Sequence, residues 1–227
     1  MLHPIRWLFL GVTVIVLAAL GFGAWYVFGG NAPAKPALGA CNARPAAAAS
    51  INGSWKVAAG KNVYLGYRMT EKFAGDVIHK AAVGRTPAVT GTMTIAGNRV
   101  SAVQVAGQMQ QLTSDRSIRD DYIHTHAIES DTYHTSAFTL TTPISLPAPL
   151  HECDALNASA RGRLTLHGVT RTIIVPIQAH WDGSTIEVVG TAPIKLADYK
   201  IVPPNTSVVK VDDHGSLELS LTFRKAA

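Results

Sequence analysis

The stretch Val89–Met109, VTGTMTIAGNRVSAVQVAGQM, decides the fold. In its first half Val89, Gly91, Met93 and Ile95 alternate with Thr90, Thr92 and Thr94. In its second half Val103, Val105, Gly107 and Met109 alternate with Gln104, Ala106 and Gln108. Successive side chains on an extended chain point to opposite faces, so each half carries one apolar and one polar face. Ala96-Gly97-Asn98 lies between the halves and tolerates the backbone of a tight reversal. The stretch therefore reads as an antiparallel hairpin buried on one side.

Working outward, the same alternation recurs. Val63, Leu65, Tyr67 and Met69 form one apolar face, and Phe138 with Leu140 another. Leu164 and Leu166 flank Thr165, Ile173, Val175 and Ile177 follow, and then Ile186 and Val188. Leu217, Leu219, Leu221 and Phe223 close the series. Trp181-Asp182-Gly183-Ser184 and Asp212-Asp213-His214-Gly215 read as further reversals. Sequential strands joined this way predict an antiparallel all-β sheet. One apolar face requires the sheet either to pack on a second sheet or to close on itself, and periodicity alone leaves both open. The polar stretch Asp115–His126 breaks the pattern. Ile118, Tyr122 and Ile123 stand at near-helical spacing, which predicts a short helix with Asp115 accepting an early backbone N–H. A second short helix is expected between Glu71 and Ala82.

The ends have different compositions. Trp7 to Phe28 holds no charged residue, and about 22 helical residues rise roughly 33 Å, enough to cross a hydrocarbon core. Residues 1–30 are therefore expected to be a retained transmembrane anchor rather than a cleaved leader. Residues 31–51, rich in Ala and Pro, read as a linker, and residues 52–227 as the folded domain. The positive-inside rule barely orients the span, since Arg6 precedes it and Lys35 and Arg44 follow. Two cysteines, Cys41 and Cys153, leave two readings, a disulfide in an oxidising compartment or a pair of thiols. A disulfide favours a single-pass protein with its C-terminal domain extracytoplasmic.

Several stretches, in order, resemble the YceI-like family in its membrane-anchored form. They are YRMTEKF (Tyr67 to Phe73), AVGRTPAVTGTMTI (Ala82 to Ile95), LTSDRSIRDDYI (Leu112 to Ile123) and TYHTSAFTL (Thr132 to Leu140). GRLTLHGVTRTIIVPI (Gly162 to Ile177) and the DDHG before the last strand complete the set. His134 departs from the family's usual proline after the tyrosine. The resemblance implies an eight-stranded, lipocalin-like barrel with one or two short helices, whose lumen takes a polyisoprenoid or quinone-like lipid. Its lining would be Val63, Leu65, Tyr67, Met69, Val89, Gly91, Met93, Val103, Val105, Gly107, Met109, Phe138, Leu140, Leu164, Leu166 and Val175. Gly91 and Gly107 would leave room for the tail. The alternative is a stress-related interaction module with a solid core and no ligand.

Other chemistry is weakly supported. The net charge is +5, with 20 basic against 15 acidic residues, but the basic residues are scattered without interleaved aromatics, which argues against nucleic-acid binding. His124, His126 and His134 lack a completing cysteine or carboxylate motif for a metal. His167 reads as a structural residue at a strand end. No nucleophile elbow, zincin helix or P-loop occurs, and the adjacent Asp120–Asp121 and Asp212–Asp213 do not converge as acid/base pairs. No catalytic residue, metal or resident cofactor is expected. The protein reads as a binding protein rather than an enzyme, and its protein partners are unspecified.

Overall fold

The hairpin at residues 89–109 forms as its alternation predicts. In a computed structural model, which describes residues 32–43, 50–73 and 75–226, it comprises β4 (Val89–Ala96) and β5 (Arg99–Gln108). Gly97 and Asn98 both adopt positive φ, 53° and 58°. That places a two-residue mirror-image turn whose twist matches the flanking strands. The same device joins β8 (Leu156–Leu166) to β9 (Val169–Trp181) through His167 and Gly168, at φ 49° and 69°. The apolar run expected to be an anchor lies outside the described residues, and everything below belongs to the unit spanning residues 33–227.

The remaining strands are β1 (Gly53–Val57), β2 (Tyr64–Phe73), β3 (Ile78–Thr86), β6 (Thr135–Leu140), β7 (Ile144–Ser145), β10 (Thr185–Lys195) and β11 (Val209–Lys225). The ladder runs β1-β4-β5-β6-β8-β9-β10-β11, and β11 pairs back to β1 through Trp55↔Lys225 and Val57↔Phe223. This ring of eight antiparallel strands is a closed barrel and has no free sheet edge along it. Closure settles between the two architectures that periodicity left open. Strand β11 is long enough to take β1 on its last residues and β2 on its first ones. The β2–β3 hairpin thus continues the wall beyond β1.

Three local expectations are corrected. Asp212–Gly215 does not reverse the chain; it is a bulge inside β11, whose register on β2 shifts between Val211 and Gly215 while β10 pairs without interruption from His214 onward. No helix forms between Glu71 and Ala82. Glu71, Lys72 and Phe73 pair with β11 on one side and β3 on the other, and two ladders outweigh a local helical preference. The helix near 115–126 exists but is shorter. It comprises α1 (Ser117–Tyr122), and then a π-type turn over Ile123–Ala127. Asp115 does not cap it, because Arg119 claims the Asp115 carboxylate. Asp120 instead accepts bonds from Ser114 N and Oγ at 2.8 and 2.6 Å.

The interior is packed in three groups. Trp55, Met93, Ile95, Trp181, Ile186 and Phe223 fill the end where the β4–β5 and β9–β10 turns lie. Met109, Leu112, Ala127, Ile128, Leu166, Tyr199 and Ile201 fill the opposite end, beneath α1. Between them Ala160, Val175 and Ala192 form a small group of short side chains.

Candidate functional site

The inner wall between the two packed ends is the candidate site. Alternation along β11 identifies it. Leu217 and Leu219 face the barrel axis, yet both remain partly accessible, whereas the outward-facing Glu218 and Ser220 are buried at 2% and 5% exposure. Strand β10 repeats the inversion, with inward Val188 partly accessible and outward Val189 buried. An inward side chain on a closed wall meets solvent only where the interior is open. Phe138, Leu140, Ile144, Ile173 and Ile177 are also partly accessible and border the small-residue group. The short side chains of Ala160 and Ala192 are buried beneath these larger ones. The wall is apolar and the space it surrounds suits an elongated apolar ligand.

The sequence-derived lining residues divide between wall and plug. Val63, Met93 and Val105 are buried in the turn-end group, with Leu65, Val89, Val103 and Leu140 partly buried against it. Met69, Met109, Leu164 and Leu166 are buried in the α1-end group, with Tyr67 and Phe138 partly buried beside it, and Val175 belongs to the central group. The two glycines do not open a passage. A Cβ on Gly91 would meet the Gln104 carbonyl at 2.7 Å and Val57 and Val105 at 3.1 Å, and one on Gly107 would meet Leu65 at 2.9 Å. These glycines admit neighbouring wall residues instead. Gly162 does the same for the Phe138 ring, which would lie 2.3 Å from its Cβ, and Gly84 for the Tyr67 ring.

The α1 end carries the barrel's inward charge. Glu71 faces inward on β2 and is buried, and Arg119 from α1 reaches it with Nε and Nη2 at 2.7 and 2.8 Å. Burial opposes the Arg119 charge, but the hydrogen bonds and attraction of the Glu71 carboxylate, with Asp115, more than restore it and raise its pKa. Burial likewise pushes the Tyr67 hydroxyl up. The pair thus fixes α1 across this end.

The outer wall opposite the accessible residues is covered by residues 33–41, which the sequence presented as linker. Glu218 is fully buried there between Arg68 Nε and Arg85 Nη2, the latter at 3.3 Å. The two arginines also donate to the carbonyls of Pro33 and Ala34 at 2.6 and 2.7 Å. Arg85 further lies over the Tyr64 ring at 4.0 Å. Gly39 N donates to Glu187, and Cys41 is disulfide-bonded to Cys153 with a Cα–Cα distance of 5.6 Å. Of the two readings for the cysteines, the bonded one holds. Neither Glu218 nor this strap was visible beforehand; an isolated glutamate on an alternating strand looks like an ordinary solvated residue.

The histidines are dispersed. His124 Nδ1 bonds Ser130 Oγ at 2.9 Å, His126 stacks on Tyr122, and His134 is exposed. Among the described residues no group of three His, Cys, Asp or Glu converges. His167 donates from Nδ1 to the Tyr199 carbonyl at 2.9 Å and packs edge-on against Tyr133, which anchors the β8–β9 turn.

A family model described as the YceI-like domain matches residues 65–223. No curated protein sequence matches the chain. Among solved structures, a polyisoprenoid binding domain from Saccharophagus degradans, implicated in plant cell wall breakdown, aligns at 16% identity and TM-score 0.58, over 76% of this chain and 98% of its own. BcnA of Burkholderia cenocepacia aligns at 17% identity and TM-score 0.52, over 69% and 95%. The YCEI protein of Campylobacter jejuni aligns at 15% identity and TM-score 0.51, over 63% and 85%. At these identities the likeness is one of fold.

Proposed function

The chain belongs to the YceI-like domain family, and from that premise we propose that it is a binding protein whose barrel holds one long apolar chain, a polyisoprenoid or similar lipid. The inverted burial on β11 carries this reading, because Leu217 and Leu219, although packed beside the core groups, stay partly accessible inside a closed wall and so supply apolar surface there. The polyisoprenoid-binding description of the Saccharophagus degradans domain supports the ligand class. Burial stabilises by about 0.8 kcal/mol per CH₂-sized group, so several isoprene units supply on the order of 10 kcal/mol gross. Association costs of similar scale, roughly 4–15 kcal/mol, leave a moderate net affinity.

Binding rather than turnover fits the buried carboxylates. Glu71 is engaged by Arg119, and Glu218 by Arg68 and Arg85, which gives both a structural role. The proposal places the barrel outside the cytoplasm, tethered by the apolar run from Trp7 to Phe28. The Cys41–Cys153 bond supports an oxidising compartment. Native mass spectrometry of the full chain, released gently from its membrane and followed by solvent extraction, tests the ligand. A co-purifying apolar molecule at one per barrel is the expected outcome. A protein that emerges empty and takes up no polyprenol or quinone would refute the proposal.

A further inference from the structure

Single exposed apolar side chains are ordinary on a soluble surface, but several on adjoining segments mark a contact face. Val77, Val202, Val208 and Ile118 are 80%, 70%, 64% and 61% exposed. They sit on three neighbouring segments at one end of the barrel. Val77 is on the β2–β3 tip, where its N–H bonds the Phe73 carbonyl at 3.2 Å, and Phe73 pairs with Val209, next to Val208. The loop carrying Val202 and Val208 folds back on β11 through Val211 N to the Pro204 carbonyl at 3.0 Å. Ile118 belongs to α1, which Arg119 ties to Glu71 on the same stretch of β2.

Within this loop the charge is one-sided, with the exposed Asp198 just before it. Lys200 to Lys210 reads KIVPPNTSVVK and holds no acidic residue. Both lysines are exposed, and neither forms an ion pair among the described residues. Of the neighbouring carboxylates, Asp212 is paired with Lys72 at 3.0 Å, and Asp76 and Asp213 contact His79 and His214, each at 2.8 Å. Apolar tips flanked by free lysines complement a surface that is greasy below and negative above.

We propose that this end of the barrel docks onto an anionic lipid bilayer, with Val77, Val202 and Val208 at the boundary between headgroups and acyl chains and Lys200 and Lys210 on lipid phosphates. The docking goes beyond the cavity reading and does not depend on it, since an empty barrel presents the same face. It would bring the α1 end of the barrel against the membrane.

The test uses the full chain reconstituted into vesicles of phosphatidylcholine, with or without one part in three of phosphatidylglycerol. Because the native cysteines are bonded, a single introduced thiol takes an environment-sensitive fluorophore in V202C, V208C or the outer-wall control I174C. Blue-shifted, brightened emission at 202 and 208, confined to the phosphatidylglycerol vesicles and missing at 174, is expected. Reversing both charges in K200E/K210E should lower the docked-to-free ratio by roughly 30-fold or more, from about fivefold per lysine removed. Equal signals at all three positions, or equal signals in both vesicle types, would overturn the proposal. So would a shift that appears in detergent and grows with protein concentration, which would assign the face to a second copy of the chain.

Discussion

Arg119 and Glu71 illustrate how much a single buried contact can fix. Both side chains are nearly inaccessible, and the two parallel hydrogen bonds hold α1 against β2. Removing one partner strands the other charge in a poorly solvated site. Arg119→Met is therefore expected to destabilise the domain by about 3–5 kcal/mol in a denaturant titration. The double variant Arg119→Met, Glu71→Gln should recover part of that loss, and a single-variant loss under ~1 kcal/mol would show the pair to be dispensable. Asp182 gives a pH prediction. Burial works against its charge, but the backbone N–H groups and hydroxyls of Thr185 and Ser184 hold its pKa below the ordinary value. A depressed folded pKa contributes stability that is present above the unfolded value, about 3.9, and is lost as pH falls through the folded one. Asp182→Asn should thus be less stable than wild type at pH 7, with the difference closing on acidification below about pH 4. A difference independent of pH would assign the effect to the turn's shape alone.

At the scale of elements, the strands were legible because period-two alternation is local, and the reversals at Gly97-Asn98 and Trp181–Ser184 because their chemistry is local too. What was not legible depends on partners far along the chain. Glu71 to Phe73 became strand because of β11, more than a hundred residues away in sequence. The DDHG bulge reads as a turn until its pairing with β2 on both sides, and with β10 from His214 onward, is known. Residues 33–41 look like linker because they have no periodicity. Their place is set by the Arg68 and Arg85 clamp and by the Cys41–Cys153 bond. That bond closes a separation of 112 residues, which the chain-entropy model rates at about 4–5 kcal/mol. Cys41→Ser with Cys153→Ser should lose roughly 2–5 kcal/mol in equilibrium unfolding. It should also loosen the strap at residues 33–41 and so speed its proteolysis. Unchanged stability and unchanged cleavage would mean the strap holds without its covalent tie.

For the molecule as a whole, the alternating sequence established a sheet with an apolar face but left its closure undetermined. Closure rests on β1 meeting β11, the first strand meeting the last. The lining residues were only half legible for a related reason. Alternation tells inward from outward, but inward Met93 is buried in an end group whereas inward Leu219, packed beside it, stays partly accessible, and sequence treats them alike. Gly91 and Gly107 misled for the same cause, since the volume they free is taken by neighbours. The central claim is that the wall around Leu219 borders an open interior that takes an apolar chain. Leu219→Trp separates this from a filled core. In an open interior the indole occupies ligand space at little cost to folding, whereas in a filled one overpacking costs about 1–3 kcal/mol. The most direct measurement is titration of the delipidated full chain with a long polyprenol or quinone, wild type against Leu219→Trp. Saturable uptake of one molecule by wild type is expected, weakened at least tenfold by the tryptophan, or about 1.4 kcal/mol, with stability nearly unchanged. No uptake by wild type, or a tryptophan variant that unfolds rather than excludes ligand, would contradict it.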